Sequence, residues 1–399
     1  MASSDQTDLG KPQFASHSWL EPIIVLSIMI GSLIINRRRN FSIIRPSDYI
    51  QLANADDTSR SENNWLETSN AETYRFCGVV IKVPDSSKWR RHIHSRIIQK
   101  FPFLVEMFYW VINYLFYACT KAIAMNLSPA DRSVIQVAQG HAVDILDFEH
   151  QGLFRFFFPV DESDFQRYFI DYHPKWLTLF NRIYSLVHIP GTVLFLSWYY
   201  YAAPNHRTFA IARRTMTLGN LAAFLVFSFY PCMPPRLLPE EYHFYDTVRQ
   251  EHAESVWVGA KSVNQFAAMP SLHFTYAFVI GCTFIYHSGL LQRILGMPTR
   301  TNRLTIIFFV TLGFLYPLLV LSVIVATANH YWLDAVVAVF TVTLCFLGNR
   351  ILIVLLPVEY CLCWALRLAK PVPTTGDRLR KLTASKDTEG YPDSDQGLV

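Results

Sequence analysis

The chain has 399 residues, of which 51% are hydrophobic, 15% aromatic and only 17% charged. Soluble domains carry about a quarter charged residues, so this clustered apolar excess points to a polytopic membrane protein. A net charge of +4 without a basic, aromatic-interleaved patch argues against a nucleic-acid partner, and seven cysteines, odd in number and without metal-ligand spacing, argue against a disulfide framework and against a zinc site.

A bilayer core takes about 20 apolar residues per helix, and seven segments qualify. Residues 1–18 are polar and expected to be disordered. Trp19–Ile35 follows as an N-terminal anchor (19–36), because "RRR" at 37–39 stands after the apolar run, where a cleaved signal would carry its charges before it. Residues 37–100 read as a cytosolic loop, rich in Asn, Ser, Asp and Glu over 40–75 and basic at "KWRRHIHSR" (88–96).

Phe103–Thr120 is the second span. Residues 121–176 then form a loop in which 130–158 shows near-helical apolar spacing, an amphipathic helix on the membrane or capping the bundle. An Asn-Leu-Ser sequon starts at Asn126, close to the end of that span. Leu177–Tyr201 and Thr215–Tyr230 are joined by basic "HRTFAIARR", and Ala267–Tyr286 and Leu304–Ala326 by basic "QRILGMPTRTNR". Tyr331–Leu347 is the last span. Ile351–Leu366, broken by Pro357 and Glu359, is taken as interfacial within a segment and tail covering 357–399 that ends with "RLRK" and a disordered stretch. Cys361 and Cys363 read as buried bystanders rather than lipidation sites. With simple alternation all basic segments fall on the cytosolic side. The fold expected is thus all-α, a six-helix catalytic bundle over 101–356 plus the anchor.

The same topology brings three polar-bearing segments to the opposite side: "YPCMPPRLLP" (230–239), "FAAMPSLH" (266–273) and "ATANHYWLD" (326–334). His330 and Asp334, four apart, share a helix face. The acid can fix the imidazole tautomer and leave the other nitrogen free to attack. Pro270 marks a helix start whose N–H groups would face an anion. Ser271 adds a hydroxyl, and His273 in the first turn suits a general acid. Arg236 between prolines offers a permanent forked charge for phosphate. Each has a plainer reading: an interfacial histidine, a structural pair and a snorkelling arginine. Together they describe phosphoryl transfer through a phosphohistidine, with no metal and no cofactor.

"PSLH" followed some sixty residues later by "NHYWLD" resembles the type-2 phosphatidic acid phosphatase superfamily over residues 130–350. Within it the likeness is to the branch of inositol phosphorylceramide synthases, an inositolphosphotransferase branch. The resemblance implies a helical bundle with a lumenal active site in the Golgi or endoplasmic reticulum. It also implies His330 as nucleophile, Asp334 as its orienting partner, His273 as general acid, and Arg236 with Ser271 as the phosphate site. Two departures stand out. The superfamily's Lys-x6-Arg-Pro segment is absent apart from Arg236 in another frame, and "VIVATAN" replaces its Ser-Arg pair. Lys261 and Asn329 are candidates for secondary phosphate contacts, as is Arg249; for Lys261 and Arg249 the plainer reading is a solvated loop charge.

The leading expectation is a transferase or hydrolase of a lipid or prenyl phosphate in the bilayer, head-group exchange on sphingolipid being its specific form. A terpene cyclase ionising a prenyl diphosphate such as farnesyl diphosphate is the alternative, its aromatics stabilising a carbocation. It would require magnesium, yet no Asp-Asp-x-x-Asp motif occurs, and "DILDFE" (144–149) reads as the polar face of the amphipathic helix. A binder that kept the scaffold without its chemistry is the third class, disfavoured by the intact His330/Asp334 pair.

Overall fold

The computed structural model describes residues 19–39, 41–44, 73–76, 79–127, 132–250, 266–297, 301–371 and 374–376. The expected disordered N-terminus, most of the polar stretch 40–75, the tail beyond 376, Lys261 and the end of the sequon all lie outside them, as does the side chain of Arg249.

The described residues are mostly helical. In chain order the longer helices are α1 (Leu20–Ile35), α2 (Ile93–Lys100), α3 (Phe103–Leu127), α4 (Arg132–His150), α5 (Glu162–Tyr172), α6 (Pro174–Leu186), α7 (His188–Ala202), α8 (His206–Phe229), α9 (Leu272–His287), α10 (Arg303–Ala326), α11 (Trp332–Leu347) and α12 (Leu356–Ala365). One antiparallel hairpin, β1 (Thr73–Phe76) with β2 (Val79–Lys82), pairs Thr73 with Lys82 and Phe76 with Val79. It is an ordered element in a loop expected to have none.

Each expected span coincides with helix, but several boundaries differ for identifiable reasons. Leu177–Tyr201 is two helices, α6 and α7, bent by 59°. Pro190, in the first turn of α7, cannot donate a hydrogen bond back across the junction. The basic stretch 206–214, expected as a loop, forms the opening turns of α8. Ala267–Tyr286 becomes helical only at Leu272, because Pro270 lacks an N–H and Ser271 caps the helix, its Oγ accepting from Phe274 N at 3.3 Å. Cys361 is exposed and Cys363 half-buried, not buried as expected.

Among the described residues α10 alone is long and apolar enough to cross a membrane unaided, and three helix pairs pass the same test jointly. The 24 residues of α10 extend about 36 Å and the 16 of α9 about 24 Å, against a hydrocarbon core of about 30 Å. Leu304, Ile307, Phe308, Phe314 and Leu315 of α10 are exposed, as lipid-facing side chains would be.

The described residues divide into two compact units. The first comprises Met1–Ile28, Asn113–Leu196 and Ala212–Leu347. Its core pairs α9 with α10: Phe274 and Ala277 pack with Val320, Ile324 and Val325, and with Ala335 and Ala338 of α11. The helices approach closely at Gly281 and Gly313. A Cβ on Gly281 would lie 2.5 Å from the Gly313 carbonyl oxygen and 2.6 Å from Pro317 Cγ. Pro317 removes the N–H that would have bonded that carbonyl, and small residues are what allow membrane helices to meet backbone to backbone. On the other side α4 buries Ala138, Ala142, Ile145 and Leu146 against Met233, Ala268 and Tyr331. The amphipathic segment therefore packs its apolar face on the bundle.

The second unit comprises Met29–Ile112, Ser197–Ile211 and Gly348–Val399. Here the basic segment before α3 holds the stretch after α12. His94 Nε2 lies 2.7 Å from Arg367 O, Ser95 Oγ accepts from Ala369 N at 3.0 Å, and Ser86 Oγ accepts from Lys370 N at 3.2 Å. Phe103 and Tyr200 pack edge to face.

Candidate active site

The three polar-bearing segments meet in the first unit. Cys232 and Ala267 form a parallel bridge, with Cys232 N donating to Phe266 O at 2.8 Å and Ala268 N to Cys232 O at 3.3 Å. Tyr331 OH donates to Met233 O at 2.8 Å, and Arg236 N to Ala328 O at 2.8 Å. Long-range backbone pairing, not local propensity, thus assembles the site.

His330 sits in the tight turn between α10 and α11. Asn329 N and His330 N both donate to Ile324 O, and Ala328, buried with φ +50°, is left-handed without being glycine. Such a residue persists only where its surroundings over-determine it. His330 is 4% exposed and Asp334 is completely buried. His330 Nδ1 lies 2.8 Å from Ala268 O and 3.1 Å from Asp334 Oδ2. Both neighbours are acceptors, so Nδ1 carries a hydrogen, and in the neutral ring the lone pair is on Nε2. Nε2 has no hydrogen-bond partner among the described residues. Asp334 Oδ2 also accepts from Tyr331 N at 3.0 Å, one half of a capping box at the start of α11.

His273, in the first turn of α9, lies with its ring 5.8 Å from that of His330. It is stacked on Tyr184 at 4.3 Å and tilted against His188 at 4.2 Å. Ile183, Val187, Tyr316, Val320, Val323 and Ile324 complete an apolar pocket around these three rings. Neither Tyr184 nor His188 was singled out in the sequence. The signal was available for His188, since a histidine within an apolar span is a functional candidate by the same reasoning that selected His273.

The expected phosphate groups are placed differently from one another. Ser271 is buried at the cap of α9 and, while accepting from Phe274 N, keeps its hydroxyl hydrogen to donate. Arg236 borders the turn before His330, but its Nη1 is 2.7 Å from Asp246 Oδ2, and its Nε is buried without an acceptor. Asn329 directs its amide nitrogen to Thr327 Oγ1 at 2.8 Å and Thr327 O at 3.2 Å, within the turn before His330.

Behind this site α4 and α5 hold the first turn of α11. Leu333 N donates to Glu149 Oε1 at 2.5 Å and Trp332 N to Glu162 Oε1 at 3.3 Å. The N–H groups that every helix start leaves unpaired are thus taken by acids from other helices. Burial, and then contact with Glu162, push the Glu149 carboxyl up to about 11. Burial also works to raise Glu162, but the hydrogen bond with His150 and the neighbouring Glu149 carboxyl outweigh it and hold that group low. Glu149, part of the acidic run expected to be a polar face, is completely buried.

The sequence pattern that defines the PAP2 superfamily matches residues 145–348, more than half of the chain. The chain belongs to the PAP2 superfamily. This is a superfamily of phosphatases and phosphotransferases, which makes the protein a phosphatase-type enzyme in general terms and does not favour the cyclase reading. No curated protein matches the chain, and no solved structure does either. The matched residues contain Arg236, Ser271, His273, His330 and Asp334, and the segments that assemble around them.

Proposed function

We propose that this PAP2-superfamily protein transfers or hydrolyses the phosphoryl group of a lipid or isoprenoid phosphate through a phosphohistidine at His330. The observation that carries the proposal is the pair of acceptors on His330 Nδ1, which fixes a hydrogen there and leaves Nε2 as the attacking nitrogen, with a second imidazole ring 5.8 Å away. Nε2 attacks phosphorus, and the proton on Nδ1 stays shared with Asp334 and Ala268 O as the ring becomes cationic. His273 gives a proton to the departing oxygen, then takes one from the incoming water or alcohol. Ser271 and Arg236 meet the phosphoryl oxygens, Arg236 once its guanidinium turns partly from Asp246.

Head-group exchange of the inositol phosphorylceramide synthase kind, on the lumenal face of the Golgi or endoplasmic reticulum, is the specific form we put forward. It is supported by the "PSLH" and "NHYWLD" segments and by the one-sided basic flanks. The test is turnover by purified protein given long-chain phosphates, prenyl diphosphates and phosphoinositide donors with and without ceramide. A radiolabelled, acid-labile phosphoenzyme should form in the wild type and not in His330→Ala. Undiminished turnover in His330→Ala refutes the mechanism; phosphoinositol transferred to ceramide, with release of the donor's diacylglycerol, selects the specific form.

A further inference from the structure

A second group of chemically capable side chains lies outside the histidine pair. Glu149 and His150 end α4 and Glu162 opens α5. One ligand atom from each of the three lies within 4.8 Å of the others. Both glutamates are completely buried, and His150 is a quarter exposed. Glu149 Oε1 and Glu162 Oε1 are engaged by the N–H groups of α11, and Glu162 Oε2 lies 3.0 Å from His150 Nε2. Glu149 Oε2 is buried with no hydrogen-bond partner. A cation held among these ligand atoms would satisfy that oxygen.

We propose that Glu149, His150 and Glu162 bind a divalent transition-metal ion, with Zn2+ as the ligand that fits. Two carboxylate oxygens and an imidazole nitrogen form a donor set that zinc accepts at about 2.0–2.2 Å. Ligand atoms already within 4.8 Å need only small rotamer shifts to close on one ion. Asp161, whose Oδ1 is 3.6 Å from His150 Nε2, can supply a fourth oxygen by exchanging its ion pair with Arg155. His150 coordinates through Nε2 with its hydrogen on Nδ1. The ion ties α4 and α5 to the first turn of α11, the turn carrying Asp334. Its role is positioning, and the inference does not depend on phosphohistidine chemistry.

The experiment uses the full chain in detergent, stripped with chelator, loaded with Zn2+ and desalted before metal analysis. The wild type is expected to retain one equivalent and to gain several degrees in Tm on adding zinc. Glu149→Gln keeps the side-chain shape and an oxygen to accept from Leu333 N, so it preserves the metal-free fold while losing the zinc and the Tm gain; His150→Ala loses both too. Cobalt loaded into the wild type should show tetrahedral d–d bands without a thiolate charge-transfer band. No retained zinc in the wild type, equal zinc in wild type and variants, or a thiolate band marking cysteine ligands would overturn the proposal.

Discussion

Replacing Asp334 with Asn separates the two services a carboxylate can give a histidine nucleophile. Where a carboxylate is the sole acceptor on Nδ1, an amide can invert the tautomer, and the cost is about 10^4 in kcat. Here Ala268 O accepts from the same nitrogen at 2.8 Å, closer than the carboxylate at 3.1 Å. Asp334→Asn should therefore keep the hydrogen on Nδ1 and forfeit only the charge that stabilises the imidazolium. A hydrogen bond to a charged group contributes about 1.5–3 kcal/mol, which corresponds to a fall in kcat of roughly 10- to 150-fold. KM should change little, because Asp334 is completely buried behind His330. The assay is steady-state phosphate release from a short-chain lipid phosphate in mixed micelles, with circular dichroism to confirm folding. A kcat above half the wild-type value would show that Asp334 does not act through His330. A loss near 10^4 would show that the Ala268 carbonyl does not hold the tautomer.

Three further outcomes follow from the geometry. His273→Gln should lower kcat by about 10^2–10^4 for an alkyl phosphate and far less for a nitrophenyl phosphate, whose leaving group needs no proton; equal losses on both substrates would remove His273 from the general-acid role. Gly281→Ala places a Cβ against the Gly313 carbonyl. It should cost about 1–3 kcal/mol in thermal stability and reduce turnover by shifting α9, and with it His273, relative to α10; an unchanged Tm would contradict the close packing. Asp246→Asn frees the Arg236 guanidinium from its 2.7 Å partner. Inorganic phosphate should then inhibit several-fold more tightly than in the wild type, whereas Arg236→Lys, lacking the fork, should weaken inhibition; identical inhibition constants in all three would take Arg236 out of the phosphate site.

Much of the architecture is legible in local sequence because helices obey local rules. Apolar runs of about span length coincide with helix in every case, near-helical spacing marked α4, and the four-residue spacing of His330 and Asp334 placed both on one turn. Errors fell where a single residue overrides the run. Pro190 breaks one expected span into α6 and α7, and Ser271 delays α9 by five residues. Apolar content alone does not separate a helix that crosses from one that bends; among the described residues α10 passes unaided and three bent pairs pass jointly.

Composition, periodicity and the two histidine segments belong to the sequence by itself, since each depends on neighbours within about one helical turn. Other features belong to the tertiary structure: the Ala268 carbonyl on His330, Tyr184 and His188 around His273, Asp246 on Arg236, and Glu149 and Glu162 beneath α11. These partners lie from 10 to 184 residues away along the chain. Nothing in a local pattern specifies which distant carbonyl or carboxylate will face a given imidazole or N–H. That choice is made when buried polar groups, each costly to leave unpaired, find one another as the helices pack.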